Sequence, residues 1–375
     1  MESGETWRSG PRPELRALTG LRGVAAAVVA LAHFRPPLPY SAELFLMWEN
    51  AAVDLFFCLS GFTLSYVYRR ENFQFSSYLL ARIARIYPLY FITLILIGGA
   101  YIWPTIVNPT TYPTAMATND FLRQVLLLNS WPAIGSGVHW NFPAWSISVE
   151  WFCYLLLFPL LLLKKPPRSE NFKLICFIGL SAISYALFMI CFDRRIMNAE
   201  IYAAKSQWSY LVNVIRGIVG FTAGWIAFSS FEEKDDLYRL CTRFSTGLWL
   251  GFLTVLVLWY LVGVPSQMLV FLFPFVVLAA TDSTSTMSRV LGSGALHFLG
   301  VISYSIYLTH FVVIIFIGFI IALSAPDTLS IWIYALLVGT TFVISTGTYF
   351  AIERPARNAI RGFRRRFEKQ LQVPR

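Results

Sequence analysis

Residues 144–163 read AWSISVEWFCYLLLFPLLLL, an unbroken stretch whose only charge is Glu150. As a helix rising about 1.5 Å per residue it covers about 30 Å, the thickness of a bilayer's hydrocarbon core. Runs of the same kind recur on both sides of it. Hydrophobic residues make up 57% of the 375 and charged residues 13%, and mean hydropathy is +0.60. A water-soluble domain needs a very different mix. The chain therefore reads as an all-α polytopic membrane bundle solvated by lipid. The apolar runs place about ten transmembrane helices near 17–34, 46–68, 78–103, 144–163, 172–192, 209–230, 244–262, 266–281, 297–323 and 330–352. The piece from Phe121 to Trp131 is too short to span and reads as interfacial or re-entrant.

One membrane domain, 16–361, follows from this, with an amino-terminal tail at 1–15 and a basic carboxy-terminal tail at 362–375. Arg22 interrupts the run from Leu18 to Phe34, so that run reads as a retained first helix rather than a cleaved signal. Lysine and arginine set orientation. The amino-terminal tail (Arg8, Arg12, Arg16), the second connection (Arg69, Arg70), the fourth (Lys164, Lys165, Arg168) and the tail from Arg354 to Arg366 are basic, which puts both termini in the cytosol. Arg194, Arg195 and Lys205 in the fifth connection dissent, and the sixth, with Glu232, Glu233, Asp235 and Asp236, is acidic. The net charge of +10 gathers at the ends of apolar spans, as topology signals do, so nucleic acid is not the partner it points to. The five cysteines fall mostly inside apolar runs without metal-ligand spacing and read as core residues, so no metal is expected. Asn108-Pro109-Thr110 is disqualified as a glycosylation acceptor by its proline.

A charge at membrane depth costs about 2.5–3.5 kcal/mol or more, so each one is a candidate for function. Arg22 and His33 are 33 − 22 = 11 residues apart, about three helical turns, which puts a cation and a titratable base on one face roughly 16 Å apart. Asp54 enters the second helix at the depth expected for His33, where a carboxylate could orient the imidazole, and Glu150 enters the fourth at similar depth. Arg82 and Arg85 begin the third helix on one face; with Arg22 they form a basic cluster whose guanidinium forks suit phosphate. Each has a bland counterpart: a snorkelling arginine, an interfacial histidine, a hydrogen-bonded structural acid, a topology anchor. His310, near the middle of the ninth helix, either contacts substrate or satisfies another helix's polar group. The long outer connection near 104–143 holds Tyr112, Trp131, His139, Trp140 and Phe142, rings that could stack on sugars or form an aromatic belt. Glu353-Arg354-Pro355 reads as an ion pair with a proline stop.

Five stretches in order resemble one family: Arg22-x10-His33; Val53-Asp54-Leu55-Phe56-Phe57-x3-Gly61-Phe62; Arg82-x2-Arg85-Ile86-Tyr87-Pro88; Trp145-Ser146-x3-Glu150-x3-Tyr154; and Ser303-Tyr304-Ser305-Ile306-Tyr307-Leu308-x-His310. They are similar to the motifs of the membrane acyltransferase-3 family, from about residue 15 to 361. The resemblance implies a stand-alone, bacterial-type O-acyltransferase of the inner membrane, although related proteins occur in eukaryotes. It implies transfer of an acyl group, acetyl above all, from cytosolic acyl-coenzyme A to a hydroxyl of a surface glycan, lipopolysaccharide or macrolide.

On that reading Arg22, Arg82 and Arg85 hold the coenzyme phosphates and His33 acts as base, oriented by Asp54 or Glu150. His310, Trp140, Trp145 and Tyr154 are assigned to the acceptor. Acylation of a small-molecule or lipid hydroxyl is the alternative within enzymes. A transporter would also bury His, Asp and Arg along a pathway. No evident internal repeat and no midspan helix broken by paired glycine and proline argue against it.

Overall fold

The computed structural model describes residues 12–34, 49–68, 70–107, 118–135, 140–192, 199–262, 266–322, 331–360 and 362, and every regular element among them is helical. Tyr112, His139, Arg194 and Arg195 lie outside the described residues. The first half runs through α1 (Arg16–His33), α2 (Glu49–Val67), α3 (Phe75–Val107), the short α4 (Thr118–Val125), α5 (Ala144–Leu163) and α6 (Glu170–Phe192). Then come α7 (Ala199–Glu233), α8 (Asp236–Arg243), α9 (Ser245–Val262), α10 (Phe273–Ala280) and α11 (Thr286–Leu291). The last three are α12 (Gly294–Val301), α13 (Ser303–Ala322) and α14 (Ile331–Thr348).

Six helices among the described residues are long and apolar enough to cross a bilayer: α2, α3, α5, α6, α7 and the stretch Ile331–Ile360 that opens as α14. The pairs α8–α9 and α12–α13, bent by 71° and 65°, bring the number to eight if each is one span. The protein is thus a multi-pass integral membrane protein with six to eight candidate spans among the described residues. The ten read from the sequence are not all confirmed: two of those stretches do not meet the test of length and apolarity, for different reasons. Helix α1 carries Arg16, Arg22 and His33 among alanines and glycines and packs against α2, α11, α12 and α13. With protein rather than lipid around it, it needs no apolar exterior. The span expected at 266–281 is a 3₁₀ turn, Ser266–Phe271, followed by the eight residues of α10. Pro274 stands in the first turn of α10, where its missing N–H is tolerated but cannot continue the turn before it.

Packing of α2 on α7 positions the centre of the bundle. Gly61 lies against the Phe221 carbonyl, and Gly224 against the Cys58 carbonyl, each so close that a Cβ would overlap the oxygen. Gly220 and Gly224, four apart on α7, make the small-residue face by which membrane helices approach closely without a hydrophobic drive. The piece from Phe121 to Trp131 does not span. It is pinned between helices: Tyr90 donates to the Gln124 carbonyl (2.6 Å), the Ser130 amide to Ser148 Oγ (3.1 Å) and the Trp131 indole to the Ser148 carbonyl (3.2 Å).

One end of the bundle gathers several of the connections that the charge pattern groups together. Arg12 pairs with Glu232 at 2.8 Å, Glu14 with His297 at 2.8 Å, Arg16 donates to the Gly292 carbonyl, and Tyr66 donates to the Pro13 carbonyl. The acidic sixth connection has a local reason. Lys173, fully buried on α6, donates to Glu233 (2.6 Å) and Asp235 (2.8 Å), while Asp235 also caps α8 through the Tyr238 amide. Burial alone would raise the Asp235 carboxyl; the Lys173 ammonium and the cap outweigh it and hold the group below its ordinary range.

Candidate active site

The basic cluster expected from sequence is assembled around a cavity of about 60 Å³ between α1, α2, α3, α5 and α13. Arg22, Arg85 and Glu150 line it together with Ser60, Ser146, Ser303, Tyr304 and Tyr307; Val53, Phe56, Phe57, Ile86 and Ile147 supply an apolar wall. Arg22 reaches Thr63 Oγ1 at 3.5 Å and sits within the fields of Arg85, Arg82 and Glu150. Glu150 is fixed by two hydroxyls: Ser60 Oγ and the Tyr154 phenol each donate to its Oε1 at 2.5 Å. A π-helical turn, Cys153–Leu157, follows in α5, and it is here that Tyr154 reaches back to Glu150. Arg82 stands behind this wall rather than in it, its guanidinium 5.5 to 6.0 Å from the ring centroids of Tyr154, Tyr68 and Tyr78. Three guanidinium groups against one carboxylate leave the cavity electropositive.

His33 closes α1 beyond this cavity, with His310 of α13 beside it at a ring-centroid distance of 5.1 Å. Each ring is held the same way. His33 Nδ1 donates to the Val29 carbonyl (2.8 Å) and His310 Nδ1 to the Ile306 carbonyl (3.0 Å), which leaves both Nε2 atoms as acceptors when the rings are neutral. Tyr307 joins the two regions: it lines the cavity, and its ring lies 6.0 Å from that of His310. Its hydroxyl is locked by Ser146 Oγ (2.6 Å) and the Pro143 carbonyl (3.2 Å). Phe56, also in the cavity lining, packs on the Tyr307 ring at 5.8 Å.

Four expected site residues sit elsewhere. Asp54 does not orient His33. Its Oδ1 accepts from Arg216 Nε at 3.1 Å and its Oδ2 from Gln267, because a carboxylate 3% exposed must take the nearest donors, and those lie on α7 and in the 3₁₀ turn. Trp145 goes with that pair, the Arg216 guanidinium lying 5.6 Å from its ring. Trp140 is 5% exposed, tilted against Phe121 at 5.2 Å and seated over Gly98, where the missing Cβ makes room. Its large apolar area is worth more in that contact than in water. His310 is not in the cavity lining either: it is fully buried beside His33, and among the described residues its Nε2 has no hydrogen-bond partner. Glu353 pairs with Arg357 at 3.5 Å and accepts from Ser305, not with Arg354.

Residues that sequence reasoning missed include Glu49, whose Oε2 lies 4.0 Å from His33 Nδ1 and which opens α2 at the depth where α1 ends. An acid at the start of the second span was the available signal. Arg216, 1% exposed midway along α7, had the signal of any charge in an apolar run. Removing one partner of the Asp54–Arg216 pair strands the other in the bundle. We expect Asp54→Leu to cost about 3–5 kcal/mol, read as a lowered melting temperature in detergent, and Asp54→Leu with Arg216→Met to recover most of it. Equal melting temperatures for the single and double variants would show that the pair carries no such weight.

Comparison with known proteins places these residues in context. A family model described as an acyltransferase domain matches residues 15–350. Acyltransferase MdmB of Streptomyces mycarofaciens is 35% identical over 156 residues, covering 39% of this chain and 38% of its own. O-acetyltransferase OatA of Staphylococcus aureus is 24% identical over 376 residues, covering 93% of this chain and 58% of its own. The chain thus matches less than two thirds of the length of these curated relatives. No solved structure matches it.

Proposed function

Because the chain belongs to the acyltransferase-3 family, we propose that it is a membrane O-acyltransferase that moves an acyl group, acetyl first of all, from acyl-coenzyme A to a hydroxyl of a surface or exported glycan. The observation that carries this reading is the electropositive cavity lined by Arg22 and Arg85, whose Tyr307 lies against His310 and so one ring away from His33, the histidine whose tautomer leaves a basic nitrogen. In this reading the chain lies in a bacterial inner membrane with both termini in the cytosol, and the donor enters from there. Arg85 and Arg22 hold coenzyme phosphate by charge-assisted hydrogen bonds, with Arg82 adding field from behind the tyrosine rings. The thin pantetheine arm runs along the apolar wall of Val53, Ile86 and Ile147 towards Tyr307. His33 Nε2 removes the proton of the acceptor hydroxyl as its oxygen attacks the thioester carbon, which is general-base catalysis by a positioned group. Glu150, held by Ser60 and Tyr154 rather than against His33, offsets part of the arginine charge instead of orienting the imidazole.

The reading is tested on the full chain in lipid nanodiscs, given acetyl-coenzyme A labelled in the acetyl group, and by mass spectrometry of surface glycans from cells with and without the gene. Coenzyme binding with acetyl gained by a glycan is the expected result. Acetyl on a lipid or small molecule would correct the acceptor. Passage of solute across the membrane with no coenzyme binding would replace the enzyme by a transporter.

A further inference from the structure

Most hydroxyls that line the cavity are engaged. Ser60 donates to Glu150, Ser146 and Tyr307 bond each other at 2.6 Å, and Tyr304 donates to the Ile86 carbonyl at 2.7 Å. Ser303 differs: it is 3% exposed, it lines the same cavity, and its hydroxyl has no hydrogen-bond partner among the described residues. A buried hydroxyl without a partner costs free energy and calls for an explanation.

Ser303 is also the first residue of α13, a helix of 20 residues. Helix α12 stops at Val301, and the chain bends by 65° before α13 begins. The first amides of a helix have no carbonyl of their own helix to bond, and they point out of its start together with the positive end of its dipole. At membrane depth such groups are tolerated where the backbone lines a cavity. Ser303 and Tyr304, the first two residues, lie in the lining with Arg22 and Arg85. The bend is held in place from α1: Gly300 meets the Thr19 carbonyl and Gly23, next to Arg22, meets Gly300, each too closely for a Cβ. Glu150 is the carboxylate in that lining, and its Oε1 is turned to Ser60 and Tyr154.

We propose that the start of α13 is an anion seat: the Ser303 hydroxyl and the first amides of the helix donate to one phosphate group, whose charge Arg22 and Arg85 balance. The inference rests on the donor being a coenzyme thioester, and it adds the hydroxyl and the backbone that receive its phosphate. Position along α13 separates this seat from the chemistry. His310, beside His33, is 310 − 303 = 7 residues further on, which is about 10 Å along the helix axis. The seat therefore takes the charged end of the donor and not the oxyanion that forms at the thioester carbon.

Calorimetry on the full chain in nanodiscs, with acetyl-coenzyme A and inorganic pyrophosphate as probes, tests the seat. Ser303→Ala should weaken both by about tenfold or more, the loss of a hydrogen bond to a charged group, with the melting temperature of the unliganded protein unchanged. Ser303→Asp gives a second measurement. A carboxylate at a helix start supports the helix, so the fold should be at least as stable, while both probes should bind more weakly than to Ser303→Ala because the new charge stands where the anion would sit. Wild-type affinity in either variant would overturn the proposal, and so would a wild-type protein that binds neither probe. Pyrophosphate bound by the wild type and lost in both variants, with no binding of acetyl-coenzyme A, would keep the seat and remove the coenzyme reading. Acetyl-coenzyme A bound equally by all three proteins would keep the coenzyme reading and remove the seat.

Discussion

Replacing His33 with alanine is expected to cut acyl transfer by about 10²- to 10⁴-fold, the usual yield of a positioned general base, with coenzyme binding preserved. The two effects separate because His33 is not part of the cavity lining that holds Arg22 and Arg85. The fold should survive, since the ring sits at the last residue of α1, partly exposed, with Phe142 and His310 as its ring neighbours. His33→Gln, which keeps a polar atom without the basicity, should be as inactive as the alanine variant. The assay is single-turnover acetyl transfer beside a coenzyme dissociation constant and a melting temperature. Undiminished transfer by a folded His33→Ala protein would remove the base role and send the search to another group.

What sequence could read here was periodicity, and what it could not read was which neighbour a buried charge meets. The spacing of Arg22 and His33 fixes them on one face of one helix whatever surrounds it, and the structure keeps that face towards α2 and α13. Arg82 and Arg85 share a face as well, yet only Arg85 lines the cavity; whether a guanidinium faces open space or tyrosine rings depends on α5, which the sequence of α3 does not contain. Asp54 shows the limit most plainly. Its depth matched that of His33, but depth is one coordinate of three, and rotation about α2 turns it to Arg216. That rotation is set by Gly61 against Phe221 and Gly224 against Cys58, a backbone contact between helices about 160 residues apart in the chain. Helix α1 was found by its length and the motif it carries, although its composition alone would not qualify it as a span. The same fact explains why fewer spans than ten qualify by composition, because counting apolar length cannot tell a helix bathed in lipid from one wrapped in protein.

Arg85→Ala is expected to weaken binding of acetyl-coenzyme A by about 10- to 150-fold, the loss of a hydrogen bond to a charged group worth about 1.5–3 kcal/mol. Arg82→Ala should cost less. Both residues belong to the same motif and carry the same charge, so a purely electrostatic role would make them nearly equal; the difference is geometric. Arg85 lines the cavity, where its fork can meet a phosphate directly, whereas Arg82 lies against Tyr68, Tyr78 and Tyr154 and acts across them. Arg85→Lys separates charge from shape further: the ammonium keeps the charge but not the planar pair of donors, so it should recover only part of the affinity. Dissociation constants measured by calorimetry at two salt concentrations would check this ordering, because a field effect fades with salt more than a direct bidentate contact does. An unchanged constant in Arg85→Ala would mean that the coenzyme's phosphates lie elsewhere. The cavity between α1, α3 and α13 would then lose its claim to be the donor site, even if His33 proved essential.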